Sequence, residues 1–289
     1  MPLDYDALVG ARFAPQRQSY STRDSILYAL SVGVGALRPH DPDELLYIYE
    51  RGLAALPTMA LTLAPPISWL SDPRFGITYN RILHAEQFLT LHKPLPAQGG
   101  VVSEARIDGV FDKGVGAGAI VHLARRLLDE RTGDLLASMT YALFMLDDGG
   151  FGGVYERPER LRPVTTERPC DLSVTLPASA NQALLYRLTG DIHPLHIDPE
   201  VARSAGFARP ILHGLCAYGM VGRAIVETLC DNDPSRLLSL DTRFTNPVFP
   251  GEPLELQLWR EGPERVAFRL LAVDRGVVVQ DMGRAGFRP

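Results

Sequence analysis

Lysine is nearly missing from these 289 residues: Lys93 and Lys113 are the only two, and the other basic side chains are arginine. The formal net charge is -5, so the chain lacks the cationic excess that tracks a phosphate backbone, and nucleic acid is not an expected partner. The arginine preference reads first as base composition of the coding DNA. Cysteine is scarce too. Cys170, Cys216 and Cys230 are odd in number and show no CxxC spacing, which argues against a disulfide framework or a thiolate zinc site. Buried free thiols in a reducing compartment are the expectation. No apolar run reaches the length of a membrane span. The start, MPLDYDALVGARF, lacks the basic-then-apolar layout of a secretory leader, and the closing RAGFRP is not an SKL-type address. The expected protein is cytoplasmic, with no membrane partner.

What is present is enough to fold. At 46% hydrophobic and 22% charged residues, the chain can build one large core or two ordinary ones. Residues 1–20 read as a lead-in. Ser21-Thr-Arg-Asp24 then caps a helix over SILYALSVGVGAL, and residues 39–52 carry a second helical pattern. Residues 55–70 are apolar, flanked by prolines, and read as buried. Ile82 to Leu95 reads as a strand ending in a turn at Pro96–Gly99. Three more strand candidates follow at residues 101–114, 118–130 and 135–146, the last two joined by a hairpin at Arg131–Asp134. A linker separates 1–150 from 170–289; it spans 151–169, and the strand DLSVTL opens the second half.

The halves echo one another. ILYALS, with Tyr28, matches LLYRLT, with Tyr186, at an offset of 158, and KPLPAQG, with Pro94, resembles NPVFPG, with Pro247, at 153. Each half is therefore expected to hold a helix and then a sheet strand that ends in a proline turn. Gly33 stands where the second copy has Asp191, and no HPLH follows it.

The chemistry concentrates in YRLTGDIHPLHIDPEVARSAGFARPILHGLCAYG, residues 186–219. Pro194 fixes its own φ and pushes His193 out of the helical region, so Asp191 to His196 must bend. A bend of that size can aim a carboxylate and an imidazole at one point. Asp198-Pro199 has the form of a new helix start. The apolar run LCAYGMVGRAIVETL then reads as a buried helix beginning near His213-Gly214. Its first N–H groups lack intrahelical partners, and Gly214 has no side chain to block an oxyanion. The resulting expectation is an acid, a base and an oxyanion donor in Asp191, His196 and Gly214.

Single residues admit plainer readings. Asp191 could satisfy a turn, and His196 could be a core histidine; it is their joint spacing with Pro194 and Gly214 that favours chemistry. His193 and His196 could hold a metal with Asp191 or Asp198, but they lie in a proline-broken loop and not on one helix face, so no metal is expected. His213 reads as a hydrogen-bonding support. His84 and Glu86 read as a buried polar pair on a strand, structural or supporting. Lys113, in the glycine-rich DKGVGAG, serves either solubility or a ligand phosphate. His40, His92 and His122 join no constellation.

The stretch YRLTGDIHPLH resembles the signature of the (R)-specific 2-enoyl-CoA hydratases, the hydratase 2 or MaoC-like dehydratases. LHAEQFLTLHKPLP, DKGVGAG, DDGGFGG, RPILHGLCAYG and RFTNPVFPGEPLELQLW resemble segments of the double-domain members, so the likeness spans nearly the whole chain. It implies an α+β fold of two hot-dogs in tandem, each a curved antiparallel sheet around a long central helix, with residues 170–289 carrying the catalytic motif and 1–150 shaping or binding. It also implies reversible hydration of trans-2-enoyl-CoA to (3R)-3-hydroxyacyl-CoA with no cofactor, and a homodimer. By position it makes Asp191 and His196 the water-activating pair and the Gly214 N–H the donor to the thioester oxygen. His84, Ala85, Lys113, His193 and Phe244 become substrate-lining residues, with Glu86 and His213 in support. Two positions depart from the family pattern: His193 stands for the usual Asn and Ala85 for the usual Gly. A hot-dog thioesterase and a non-catalytic acyl-CoA binding protein are the competing readings.

Overall fold

Alternating burial along ten strands produces one antiparallel sheet. In chain order they are β1 (Gln16–Tyr20), β2 (Ile82–Leu91), β3 (Gly99–Asp112), β4 (Ala119–Asp129), β5 (Leu135–Met145), β6 (Leu172–Leu176), β7 (Leu237–Phe244), β8 (Leu254–Arg260), β9 (Arg265–Ala272) and β10 (Val277–Phe287). They lie in the order β1-β3-β4-β5-β2-β7-β10-β9-β8-β6. The computed structural model describes residues 3–153, 161–164 and 167–288.

That order is palindromic. Each half contributes an edge strand, a three-stranded meander and a central strand, and the halves join where β2 pairs with β7. At this seam Phe88 lies opposite Asp241, two residues separated by the same 153 positions as Pro94 and Pro247. Equivalent residues meet each other only on a two-fold axis, so the sequence repeat is a real internal pseudo-symmetry. The strand read to Leu95 ends at Leu91, and the chain then turns at Pro94. The lead-in is not featureless: it holds a short helix, α1 (Tyr5–Val9), and the edge strand β1.

The helices cover one face. The expected cap is present at α2 (Thr22–Ser31), where the Ser21 N–H donates to the Asp24 carboxylate at 2.7 Å. The pattern at 39–52 condenses to α3 (Pro42–Ile48). In the second half, α4 (Gln182–Tyr186) passes through a 3-10 turn to Gly190, and α5 (Pro199–Ser204) starts at Asp198. The long helix α6 (Gly214–Leu229) is almost wholly buried.

The two hot-dogs differ in one respect. Among the described residues the first half has no counterpart of α6; Pro57, Pro65, Pro66 and Pro73 break residues 57–75 into short 3-10 turns. The first of these turns reaches α6 at Gly222, and α2 reaches it at Gly219, because neither glycine has a side chain in the way. A Cβ at Gly219 would lie 2.6 Å from the Tyr28 hydroxyl, and one at Gly222 would lie 2.6 Å from Thr58. Buried Tyr28 and Tyr186, the repeat-related pair, meet with ring centroids 6.3 Å apart. One core therefore serves both halves, with Leu89 and Leu240 fully buried at the seam, each a side chain whose burial is worth ~2 kcal/mol. The expected linker, 151–169, lies outside the described residues at 154–160 and 165–166. Its described part packs on the sheet, with Val164 buried against Trp259 and Ala267.

Candidate active site

The bend at residues 190–196 forms as the proline requires. Gly190 turns the chain with φ of 129°, and Pro194–His196 make one 3-10 turn capped by His193, whose Nδ1 accepts the Leu195 N–H at 3.2 Å. Asp191 is exposed, and its carboxylate accepts the His193 N–H at 3.2 Å. Asp191, His196 and His213 bring possible ligand or acid–base atoms within 4.8 Å of one another. His213, and not His193, is thus the second imidazole of the cluster. The Asp198 carboxylate is used as the cap of α5, accepting the Glu200 N–H at 2.8 Å.

Two carbonyls set the tautomers. A carbonyl only accepts, so the ring nitrogen bonded to it carries hydrogen. His196 donates Nδ1–H to the Ile211 carbonyl at 2.9 Å, which leaves the Nε2 lone pair free. His213 donates Nε2–H to the Asp191 carbonyl at 3.1 Å, and its buried Nδ1 has no hydrogen-bond partner among the described residues. Burial lowers the pKa of His196, and it lowers that of His213 to about 4. Both rings are therefore neutral near pH 7. His213 is gripped further by Tyr186, at 4.9 Å.

Gly214 opens α6 beside this cluster, where amides lack intrahelical acceptors and carry the positive end of the dipole. Phe244, at the end of β7, covers it: a Cβ on Gly214 would lie 3.3 Å from the ring. Phe244 lies 4.9 Å from His84, and His84 lies 5.5 Å from Tyr141. Burial drives the His84 pKa down to about 4, and its buried Nε2 has no hydrogen-bond partner among the described residues.

His84 and Glu86 take different side-chain partners. A bulge at Ala85 interrupts the β2–β5 ladder, so residues that would share a face diverge. Glu86 instead bonds Arg243 on β7, its Oε1 accepting Nε–H at 2.8 Å. Lys113 is exposed on the β3–β4 loop with its ammonium 4.6 Å above the Phe144 ring. It makes no ion pair among the described residues, whereas Lys93 is held by Asp134 at 2.7 Å.

Residues that the sequence reading did not single out also build the site. The Ile211 carbonyl orients His196, a backbone role that leaves no mark in residue type. Tyr79, from the first half, lies 5.9 Å from His193. The stacking role of Tyr186 had one signal, its recurrence as Tyr28 in the repeat.

This is a double hot-dog fold with a carboxylate and imidazole beside a glycine at a buried helix start. Residues 18–147 match the MFE-2 hydratase 2 N-terminal domain, and residues 162–282 match the MaoC like domain. The chain is 37% identical over 274 residues to the enoyl-CoA hydratase ChsH3 of Mycobacterium tuberculosis, covering 92% of this chain and 93% of that one. A MaoC-like dehydratase from Phytophthora capsici superposes with a TM-score of 0.85 at 29% identity, over 99% of both chains. A double hot-dog protein of Mycobacterium tuberculosis, at 14% identity and a TM-score of 0.58 over 96% of both chains, shares the fold. The chain belongs to the MaoC-like hydratase 2 family. Among the described residues no helix is long and apolar enough to cross a membrane.

Proposed function

We propose that this protein adds water reversibly across the double bond of a trans-2-enoyl-CoA thioester to give the (3R)-3-hydroxyacyl-CoA. The observation that carries this is the cluster itself: the Asp191 carboxylate and the free Nε2 of His196 share one bend, next to the first amide of α6. His196 takes a proton from water as the water oxygen bonds to C3. The alkene electron pair becomes an enolate on the thioester oxygen, which the Gly214 N–H stabilises; one such donor is worth ~3 kcal/mol of barrier. Asp191 orients the water and passes the proton from the imidazolium side to C2. Water supplies both the hydroxyl and the hydrogen, and neither side chain is altered at the end.

In this reading His84 and Phe244 form the wall over the reacting carbons, and the bulge at Ala85 gives the thioester room. His193 borders the water, and His213 holds Asp191 through its carbonyl. Lys113 meets a CoA phosphate, consistent with an ammonium that has no ion-pair partner among the described residues. The first half binds, and the second carries the chemistry. A homodimer belongs to the same reading, and sedimentation of the purified protein checks it.

The test is loss of enone absorbance with trans-2-butenoyl-CoA and trans-2-decenoyl-CoA, with chiral analysis of the product. Asp191→Asn and His196→Gln are each expected to lower kcat by about 10²- to 10⁴-fold. Release of free thiol without loss of enone would point to thioester hydrolysis, and tight binding without turnover to a binding protein.

A further inference from the structure

Two glycine-rich segments lie backbone against backbone beside Lys113. One is the β3–β4 loop, residues 113–118; the other follows β5, residues 146–153. A Cβ at Gly149 would sit 2.4 Å from the Gly118 carbonyl oxygen and 2.5 Å from that of Gly114. Glycine is required there because the approach leaves no room for a side chain.

Asp112, the last residue of β3, ties the segments together. Its carboxylate accepts N–H groups from Gly114 at 2.8 Å in its own loop, and from Gly150 at 2.7 Å and Gly152 at 2.8 Å in the other. The side chain is buried, and among the described residues it pairs with no cation. Burial alone would raise its pKa, but the bonds from Gly150, Gly114, Gly152 and Gly153 outweigh this and lower it. The carboxylate stays ionised and the clamp stays closed. The second segment is tied in turn to the active site. The Asp148 carboxylate accepts the Thr78 N–H at 3.0 Å and its hydroxyl at 2.6 Å, and Tyr79 next to it lies 5.9 Å from His193.

We propose that Asp112 is a positioning residue for recognition of the CoA moiety, fixing the loop that presents Lys113 in register with the catalytic bend. The proposal rests on the reading that Lys113 meets a CoA phosphate. A cation on a free glycine loop would meet a phosphate only after losing its conformational freedom. Asp112 removes that freedom beforehand, through bonds that no ligand has to supply.

Two substrates with the same acyl group separate the possibilities: trans-2-butenoyl-CoA and the N-acetylcysteamine thioester of trans-2-butenoate, which has the enone and no phosphate. Asp112→Asn is expected to raise KM for the CoA ester roughly tenfold, with kcat within about twofold and KM for the truncated ester unchanged. Lys113→Ala should give the same pattern, and the double variant should be no worse than the stronger single one. Gly150→Ala attacks the same clamp from the opposite loop, where its Cβ would meet Val115 at 2.7 Å, and should reproduce the split if Asp112→Asn folds poorly. If Lys113→Ala leaves the CoA ester's KM unchanged, the phosphate contact is wrong. If Lys113→Ala raises it while Asp112→Asn and Gly150→Ala do not, the contact stands and the role of Asp112 is overturned. Equal losses on both substrates in Asp112→Asn would also overturn it.

Discussion

His196 and His213 stack face to face, with ring centroids 3.7 Å apart and planes 27° from parallel. Each has already given one N–H to a backbone carbonyl, so a proton on either remaining nitrogen would create a cation against its neighbour. Burial acts in the same direction and lowers both pKa values. A lowered pKa keeps His196 neutral, and hence able to accept a proton, as the pH falls past the ordinary histidine value of 6.5. The base is lost only when the pH falls through the lower, folded-state value. The acid limb of kcat/KM is therefore expected below pH 6.5. Rates between pH 4.5 and 8 check this; a midpoint at or above 6.5 would mean that His196 is not the base or not buried as described.

The contact between Gly214 and Phe244 makes a steric prediction. A methyl at Gly214 would stand 3.3 Å from the Phe244 ring, which must then move by a few tenths of an ångström. That ring is also in contact with His84, so the push reaches the wall of the site. Gly214→Ala is expected to lower kcat/KM by about 10- to 100-fold, because displaced catalytic geometry is costly even when the fold survives. Adding Phe244→Leu should recover part of the loss. Equal rates for wild type and Gly214→Ala would remove the helix start from the mechanism.

At His193, the departure from the family's Asn, the structure points to tolerance. The side chain acts as a cap through Nδ1, and an Asn oxygen can accept the same Leu195 N–H. His193→Asn is expected to keep butenoyl-CoA hydration within about threefold, since what is lost is two ring contacts, with Tyr79 at 5.9 Å and with His196 at 6.1 Å, and no hydrogen bond to the catalytic groups. Turnover of the two enoyl-CoA chain lengths measures it. A gain of tenfold or more would show instead that the imidazole crowds the water.

How much of this was legible in the sequence depends on what held each residue in place. The bend at Pro194, the cap at Ser21 and the helix start at Gly214 are local steric facts, and they were readable from residue type. The repeat was readable too, because Tyr28 and Tyr186 fill matching places in one core. The pairing of Glu86 with Arg243 was not, because it needs the β2–β7 seam and the bulge at Ala85, both set by long-range register. His213 was readable as a hydrogen-bonding support, but its partner was hidden: it depends on α6 carrying its N-terminus back onto the Asp191 carbonyl, 22 residues earlier. In the first half the prolines were visible, but their effect, a missing long helix with α6 serving both halves of the sheet, required the packing at Gly219 and Gly222.

The seam carries a stability prediction of its own. Asp241 lies opposite Phe88, and burial raises its carboxyl pKa to about 6. Among the described residues the one hydrogen bond to its carboxylate comes from the Leu89 N–H at 3.3 Å. Arg243 is engaged with Glu86, and Arg284, across from Asp241 on β10, is engaged with Glu261 at 3.1 Å. The folded state thus holds this proton more tightly than the unfolded chain does. Stability falls as the pH rises from near 4 through about 6, and the full cost of an ionised Asp241 is present above that window. Asp241→Asn removes the cost while keeping the size and the acceptor oxygen. It is expected to raise Tm by roughly 2 °C at pH 8, on the order of 1 kcal/mol, with the gain shrinking toward zero by pH 4. Thermal unfolding of both proteins across that range checks the sign: a variant less stable at pH 8 would mean that the ionised carboxylate is paired, and that the seam is held by charge as well as by packing.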